Sequence, residues 1–422
     1  MIVCVEFVDR KNERELGISL GKNREFRCQR EGRGFESHCP LHLLMFKLCI
    51  EGWRNINHSF AIVNQRQLLE FVKLPIHLRH LDVTFFNKNW NSQKNANGFT
   101  PEENLIISSI QSPSSKENFD VVYRITYPYN LDTSLAKKTF FFGTTEFEHN
   151  NKNFINGALD KVSKRDDLFV VAPSQWSKEG FIKAGFKDSQ IKLINLGVDT
   201  KVFFPINQEE RKDVRKQLNI KNDDFVLLSI GAMTENKGIK LLLIAFAILR
   251  QNNKKIKLIL KDQSNLYEIF AQSHIKALKD SKFKKLINDE LISNIILLSK
   301  NLNYQEINDL YGASDCYVSP YLAEGFGLTP LEAAATGTPI VVTKGGSTDD
   351  YFDPIMGNQI SSRLIESEKK TFYIPDVESL VECISSVIKK PENYGGLASH
   401  NFISSNLSMK KSVDKLLKKM SE

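Results

Sequence analysis

The sequence predicts an α/β protein made of two Rossmann-like domains, each a doubly wound parallel sheet, facing one another across a cleft. Three observations carry this expectation. Short apolar runs alternate with helix-length amphipathic stretches along most of the chain, the pattern of β-α-β units. The run Phe225-Val226-Leu227-Leu228-Ser229-Ile230 is apolar almost without a break, as a strand buried on both faces requires. The series of such units also occurs twice, with a polar, charge-rich stretch over 199–224 between the two. The 422 residues leave room for this, since domains cluster at about 100 to 200 residues.

Taken in order, residues 46–50 read as a short buried strand. A polar loop over 51–58 follows, then a helix with Ser59 as its N-cap and Ile62, Leu68, Leu69 and Val72 as its apolar stripe. Further strands are expected at 120–126, 139–142, 168–172 and 191–196, with a helix at 176–184. The stretch 199–224 reads as a linker holding a short helix. The second series runs strand 225–230, loop 231–238, helix 239–250, strands 256–260 and 295–298, helix 304–313, strand 316–318, helix 328–336 and strand 340–343. Helical patterns at 380–389 and 409–420 close the chain; in the second, Val413, Leu416, Leu417 and Met420 share one face. The domains expected are an N-terminal one over 45–205, a C-terminal one over 206–375, and terminal helices over 376–422 that pack back on the N-terminal domain.

The first 44 residues stand apart. Residues 1–50 hold six arginines (Arg10, Arg14, Arg24, Arg27, Arg30, Arg33) and three lysines, whereas the rest of the chain holds nine arginines and 39 lysines. Four of the six cysteines (Cys4, Cys28, Cys39, Cys49) also fall there, without the paired short spacings of a zinc site and with no secretory signal to favour disulfides. The peptide Gly34-Phe35-Glu36-Ser37 is what the common transfer-RNA T-arm sequence GGGTTCGAATCC encodes in one frame. Part of 1–44 is therefore expected to be a translated transfer-RNA gene, with Met45 as the true start; a genuine but irregular extension is the alternative.

Composition excludes disorder, a collagen-like repeat and a small disulfide scaffold: 41% of residues are hydrophobic and 25% charged. The net charge of +7 is modest for this length and fits an anionic ligand or an anionic membrane surface better than a nucleic-acid track. No apolar run approaches the about 18 residues that span a bilayer, so a soluble, cytoplasmic protein is expected. The lysine-rich face of 409–420 reads as a solvated face, with peripheral contact to anionic lipid as the alternative.

The most specific signal is Glu324-Gly325-Phe326-Gly327-Leu328-Thr329-Pro330-Leu331-Glu332, which follows a strand and opens a helix. Its glycines let the backbone approach a ligand closely, and the amides of Phe326, Gly327 and Leu328 point at whatever sits on the helix N-terminus. A phosphate suits that place. The dipole contributes about 0.3 to 1 kcal/mol per anionic group and charge-assisted hydrogen bonds about 1.5 to 3 each, so the amides dominate. Phosphate repels carboxylates; Glu324 and Glu332 are therefore expected to bind hydroxyl groups on opposite sides of a diphosphate.

This pair of glutamates eight positions apart, with Ala333-Ala334-Ala335-Thr336-Gly337-Thr338-Pro339-Ile340-Val341-Val342 after it, resembles the GT-B retaining glycosyltransferases of glycosyltransferase family 4. Further matching pieces are Val171-Ala172-Pro173-Ser174-Gln175-Trp176-Ser177, Leu196-Gly197-Val198-Asp199 before Phe204-Pro205, and Gly231-Ala232-Met233-Thr234-Glu235-Asn236-Lys237-Gly238. The resemblance covers most of 45–422 and is best over 170–350.

What it implies is transfer of a sugar from a nucleotide sugar, as co-substrate, to a carbohydrate or lipid-linked acceptor held by the N-terminal domain, with retention and without a metal or other cofactor. Glu332 would hold the ribose hydroxyls, Glu324 would lie near the transferred sugar, and Gly325, Phe326, Gly327 and Leu328 would hold the diphosphate. Lys237, in a strand-to-helix turn between Gly231 and Gly238, would neutralise that diphosphate as it leaves. The family commonly has an Arg shortly before this Lys; here Ala232 stands there, so help would come from Lys261. The catalytic His of the family's N-terminal domain has two candidate counterparts, His58 and Glu146. Trp53 and Trp176 read as packing aromatics, and 345–350 reads either as a donor contact or as a turn and helix cap. An epimerase or phosphorylase of the same fold, or a glycan-binding protein that kept the fold, are the alternatives to a transferase.

Overall fold

In the computed structural model, residues 46–91, 98–134, 136–149, 151–367 and 370–422 are described. The expectation for residues 1–44 lies outside them. The first sheet collects the strands of the N-terminal series: β1 (Lys47–Gly52), β2 (His77–Asp82), β3 (Val121–Ile125), β4 (Lys138–Phe142), β5 (Leu168–Ala172) and β6 (Ile191–Leu193). They are parallel throughout and ordered β2-β1-β3-β4-β5-β6. Every residue of β3, Val-Val-Tyr-Arg-Ile, is buried, which only a strand covered on both faces demands. Phe140, Phe141, Phe142 and Phe181 form the aromatic centre of this half.

The second sheet is built from β7 (Phe225–Gly231), β8 (Ile256–Asp262), β9 (Ile295–Leu298), β10 (Cys316–Ser319), β11 (Ile340–Thr343) and β12 (Gly357–Ile360), again parallel, in the order β9-β8-β7-β10-β11-β12. The two halves are thus doubly wound parallel sheets. In each, strand order reverses at one point, between β1 and β3 in the first and between β7 and β10 in the second. Ligands of open α/β sheets bind outside the carboxyl ends of the strands at that point.

Helix α1 (Ser59–Phe71) follows β1, and the structure corrects its start. His58, not Ser59, is the N-cap: it has extended backbone, and its Nδ1 accepts the Phe60 amide at 3.1 Å. An imidazole nitrogen satisfies the orphan amide that the hydroxyl was expected to take. Elements with weak apolar patterning were not anticipated: β2, an edge strand of sequence His-Leu-Arg-His-Leu-Asp; α2 (Pro101–Ser109), which is held by a Thr100/Glu103 capping box; and an antiparallel hairpin of β13 (Ser362–Glu366) and β14 (Thr371–Pro375). Helices α3 (Gln175–Lys183), α4 (Gln208–Gln217), α5 (Ile239–Asn252), α6 (Ala271–Lys279), α7 (Tyr304–Ala313), α8 (Leu328–Ala335), α9 (Val377–Lys389), α10 (Gly396–Asn406) and α11 (Met409–Ser421) complete the frame. The apolar face of α11, with Met409, Val413, Leu416, Leu417 and Met420 buried, lies against α1 of the N-terminal half, and Lys410, Lys411, Lys415, Lys418 and Lys419 face solvent. No helix among the described residues is long and apolar enough to cross a membrane.

Candidate active site

A cavity of about 530 Å³ lies between the two halves, at both switch points. From the N-terminal half it is lined by the loops after β1 (Asn57, His58), β3 (Tyr127, Tyr129) and β4 (Thr144, Glu146–His149 segment 146–149). From the C-terminal half come the loops after β7 (Gly231, Ala232, Thr234, Lys237), β8 (Lys261, Gln263) and β10, together with the start of α8 (Glu324 to Thr329, and Glu332). All of the residues expected at a donor site, Gly231, Lys237, Lys261, Glu324, Gly325, Phe326, Gly327, Leu328 and Glu332, and His58 besides, border this one space.

The geometry follows from local chemistry. Asn236 locks the loop after β7 onto the loop after β10: its Nδ2 donates to the Ala323 carbonyl at 3.0 Å and its carbonyl accepts the Leu322 amide at 2.7 Å. Gly238 ends that loop at φ 68°, and a Cβ there would stand 1.9 Å from the Pro320 carbonyl oxygen, so no other residue fits. This places Lys237 in an ion pair with Glu324, both side chains largely shielded. Burial alone would push the ammonium down, but the carboxylates of Glu324 and Glu146 outweigh it and hold Lys237 above its ordinary range. Lys237 is a charged group throughout the neutral range.

Gly327, at φ 90°, is the N-cap of α8, and its carbonyl accepts Tyr351 Oη at 2.8 Å. Among the described residues, the amides of Phe326, Gly327 and Leu328 donate to no protein acceptor, as the start of a helix leaves them. The N-terminal half fixes the same loop from the other side. Ser174 and Ser177 both donate to the Gly325 carbonyl, at 2.6 and 2.9 Å, and a Cβ on Gly325 would stand 2.6 Å from Thr144 Cβ. The three glycine-loop amides are thus presented to the cavity by two domains at once.

Glu332 lies one turn into α8. Tyr311 of α7 donates to its Oε2 at 2.9 Å. Burial pushes this carboxyl up to about 7, against the Tyr311 hydrogen bond and the Arg66 guanidinium, which favour the ionised form. Arg66 comes from α1 across the cleft. It pairs with Glu103 at 2.8 Å and lies 4.5 and 4.3 Å over the rings of Phe99 and Tyr304. Lys261 is buried, with its Nζ donating to the Asp262 carbonyl; burial pushes it down while Asp262 opposes.

His58 borders the cavity with its Nδ1 committed to capping α1 and its ring packed 4.9 Å from Trp90 and 5.2 Å from Trp53; burial pushes its pKa down to about 3. Glu146 is open to the cavity but ringed by protein. Burial raises its carboxyl, Lys237 opposes and Glu324 adds to the rise. Trp53 is fully buried, and Trp176 packs on Tyr373 while donating to the Glu146 carbonyl at 3.0 Å. The 345–350 segment does not border the cavity; Asp350 instead accepts the Gln175 amide at 2.8 Å, tying α3 to the second half.

The residues that sequence reasoning missed are those acting through others: Tyr311 and Arg66 on Glu332, Ser174 and Ser177 on Gly325, and Tyr127, Phe86 and Phe147 in the wall. Only Tyr304 and Tyr311 carried a signal, being seven positions apart and so on one face of a helix.

Two comparisons with solved structures establish the fold. The chain superimposes on HepE of Anabaena, solved in complex with UDP and glucose, with a TM-score of 0.61 and 17% identity, over 89% of this chain and 100% of that one. It matches a glycosyltransferase from Rickettsia africae with a TM-score of 0.63 and 15% identity, over 89% and 98% of the two chains. The fold is the GT-B fold of glycosyltransferases.

Residues 210–394 match the family model for glycosyl transferases group 1, which covers the second sheet and the glycine loop. Mannosylfructose-phosphate synthase of Agrobacterium fabrum is 28% identical over 205 residues, 48% of this chain and 43% of that protein. Alpha-monoglucosyldiacylglycerol synthase of Acholeplasma laidlawii is 23% identical over 289 residues, 67% and 65% of the two. The chain thus spans under half the length of the first relative and about two thirds of the second.

Proposed function

We propose that the chain is a GT-B glycosyltransferase, of the retaining kind grouped as family 4, that moves a hexose from a nucleotide sugar to a hydroxyl of a carbohydrate or lipid-linked acceptor. The single observation that carries this reading is the convergence of Lys237, the Gly325 to Leu328 backbone and Glu332 on one cavity at the switch points of two Rossmann halves. A helix N-terminus with unpaired amides and a charged lysine answers a diphosphate; a carboxylate one turn further on answers a ribose. The relatives are named as synthases of a mannosylfructose phosphate and of a glucosyldiacylglycerol, and HepE was solved with UDP and glucose, which supports a nucleotide sugar as donor.

In the transfer, the bond between the anomeric carbon and the β-phosphate oxygen breaks and a bond from that carbon to the acceptor oxygen forms. The acceptor's proton passes to the leaving phosphate on the same face, and the products are a glycoside and a nucleoside diphosphate. The protein's part is to stabilise charge that grows on the leaving group and to hold the acceptor against the anomeric carbon. Lys237 is already charged and held by Glu324. An arriving diphosphate shares that ammonium and leaves Glu324 oxygens for sugar hydroxyls. Lys261 lies near enough to border the same space and, once turned from Asp262, adds a second cation.

On the acceptor side, Glu146 is the group we place beside the reacting centre, because it faces Lys237 and Glu324, whereas the His58 ring is committed to capping α1 and packing against Trp53 and Trp90. His58 then acts as a positioning residue. Calorimetric titration of uridine, guanosine and adenosine diphosphates into the wild type, Lys237→Ala and Glu332→Gln tests the donor site. One nucleotide should bind, and both variants should weaken it; unchanged affinity in both refutes the assignment.

A further inference from the structure

The wall contributed by the N-terminal half has a chemical character that narrows the acceptor. Among the described residues bordering the cavity, the lysines are Lys237 and Lys261, and both belong to the C-terminal half. The N-terminal half supplies carboxylates instead, Glu146 and Glu148, the second held in place by the Thr371 hydroxyl at 2.7 Å. Its two histidines carry no charge at neutral pH: burial pushes His58 to about 3 and His149 to about 4, with His149 Nε2 in a 2.7 Å hydrogen bond to Thr145 Oγ1. Lys370 stands over the Phe147 ring at 5.0 Å but does not border the cavity.

Much of the remaining surface is aromatic, interspersed with Asn57, Ser59, Ile62 and Val63. Tyr127 accepts a hydrogen bond from Asn153 Nδ2 at 2.7 Å, which fixes its ring, and Phe86 packs edge-on against it with centroids 5.8 Å apart while staying 51% exposed. Phe147 faces the same space from the loop after β4. Rigid rings of this kind offer large contact area for the C–H faces of a sugar, and the neighbouring carboxylates accept its hydroxyls.

We infer that the acceptor is an unphosphorylated glycoside, uncharged where it meets the protein, seated on Tyr127, Phe86 and Phe147 with its hydroxyls toward Glu146 and Glu148. A phosphorylated sugar would bring about two negative charges against two carboxylates, while the nearby cations, Lys370 over the Phe147 ring and Lys183 on the Thr371 hydroxyl, stand outside the cavity lining. The inference rests on the proposed transferase reading and deepens it.

The test uses the full chain with the nucleotide sugar that binds it, and follows nucleoside diphosphate release. Octyl glycosides of glucose, galactose and mannose are compared with the matching hexose 6-phosphates at equal concentration. At least one octyl glycoside should accelerate release by about tenfold or more over any 6-phosphate. Tyr127→Ala should raise the KM for that glycoside about tenfold with a smaller change in kcat, and Tyr127→Phe, which keeps the ring, should stay within about threefold. Faster release with a hexose 6-phosphate, no acceleration by any octyl glycoside, or a Tyr127→Ala effect confined to kcat would overturn the inference. Failure to bind any nucleotide sugar would strike the donor reading itself.

Discussion

On the proposed donor-site reading, Glu332 should make binding depend on pH. Its carboxyl sits near 7, raised by burial and restrained by Tyr311 and Arg66, so it is half protonated in neutral solution. Binding a ribose through two hydroxyl donors requires the ionised form, which accepts both. Apparent affinity therefore follows the ionised fraction: at pH 8 about nine tenths of the molecules are competent and at pH 6 about one tenth, a tenfold loss equal to about 1.4 kcal/mol. The ligand should be a nucleotide sugar, whose esterified diphosphate does not titrate in this window. His58 and His149 lie well below the window and Lys237 well above it, so they do not contribute to the slope. Titration calorimetry at pH 6, 7 and 8 in two buffers of different ionisation enthalpy reads both the affinity and the proton released. Glu332→Gln should bind about tenfold more weakly at pH 8 and show no slope. A wild-type affinity that changes less than about twofold, or a slope that survives in Glu332→Gln, refutes the reasoning.

The same shift has a consequence for stability. The unfolded carboxyl titrates near its ordinary value of about 4.5 and the folded one near 7, so folding disfavours the charge, and the penalty grows as pH rises through that interval. Glu332→Gln should raise the unfolding free energy by up to about 3 kcal/mol at pH 8 and by about half of that or less at pH 5.5. A residue that binds substrate at a cost to the fold gives opposite signs in the two assays.

Lys237→Ala removes the charged partner of the diphosphate and should weaken donor binding by roughly 10- to 100-fold in calorimetry, the range of one charge-assisted hydrogen bond; a change under about threefold contradicts its role. Gly238→Ala forces a Cβ against the Pro320 carbonyl at positive φ and should lower the unfolding free energy by more than about 2 kcal/mol, read by thermal and denaturant melts; an unchanged midpoint contradicts the loop geometry. His58→Ala should destabilise by about 1 kcal/mol through loss of the α1 cap, and His58→Asn should restore both stability and turnover, whereas Glu146→Gln should lower kcat about a hundredfold. Turnover lost in a stable His58→Asn would return the chemistry to the histidine.

The strands read most directly from sequence are those buried on both faces. The runs at 168–172 and 340–343 coincide with β5 and β11, because a strand with helices on both sides is built mainly of apolar residues, and the half-buried edge strand β9 was legible from its unbroken run Ile-Ile-Leu-Leu. The edge strand β2 and the hairpin β13–β14 escaped because an edge or exposed strand takes half its definition from its neighbour, through register, and not from its own residues. The proposed donor half of the site was readable for a related reason: Lys237, Gly325 to Leu328 and Glu332 lie on two short segments whose glycines mark backbone that must approach something. The proposed acceptor wall was not. Phe86, Tyr127 and Phe147 come from three separate loops and look like packing aromatics until the sheet brings them to one cavity, and Arg66 reaches Tyr304 only because two domains meet. Ser59 looked like the cap because hydroxyls usually serve; the imidazole of His58 took the task one residue earlier.

The most direct test of the donor site is a crystal structure of the chain with an intact nucleotide sugar or its nucleoside diphosphate. The diphosphate should lie on the N-terminus of α8, within hydrogen-bond distance of the Gly327 and Leu328 amides and of Lys237 Nζ, with both ribose hydroxyls on Glu332. A nucleotide bound elsewhere, or bound in this cavity with Glu332 and Lys237 untouched, would contradict it.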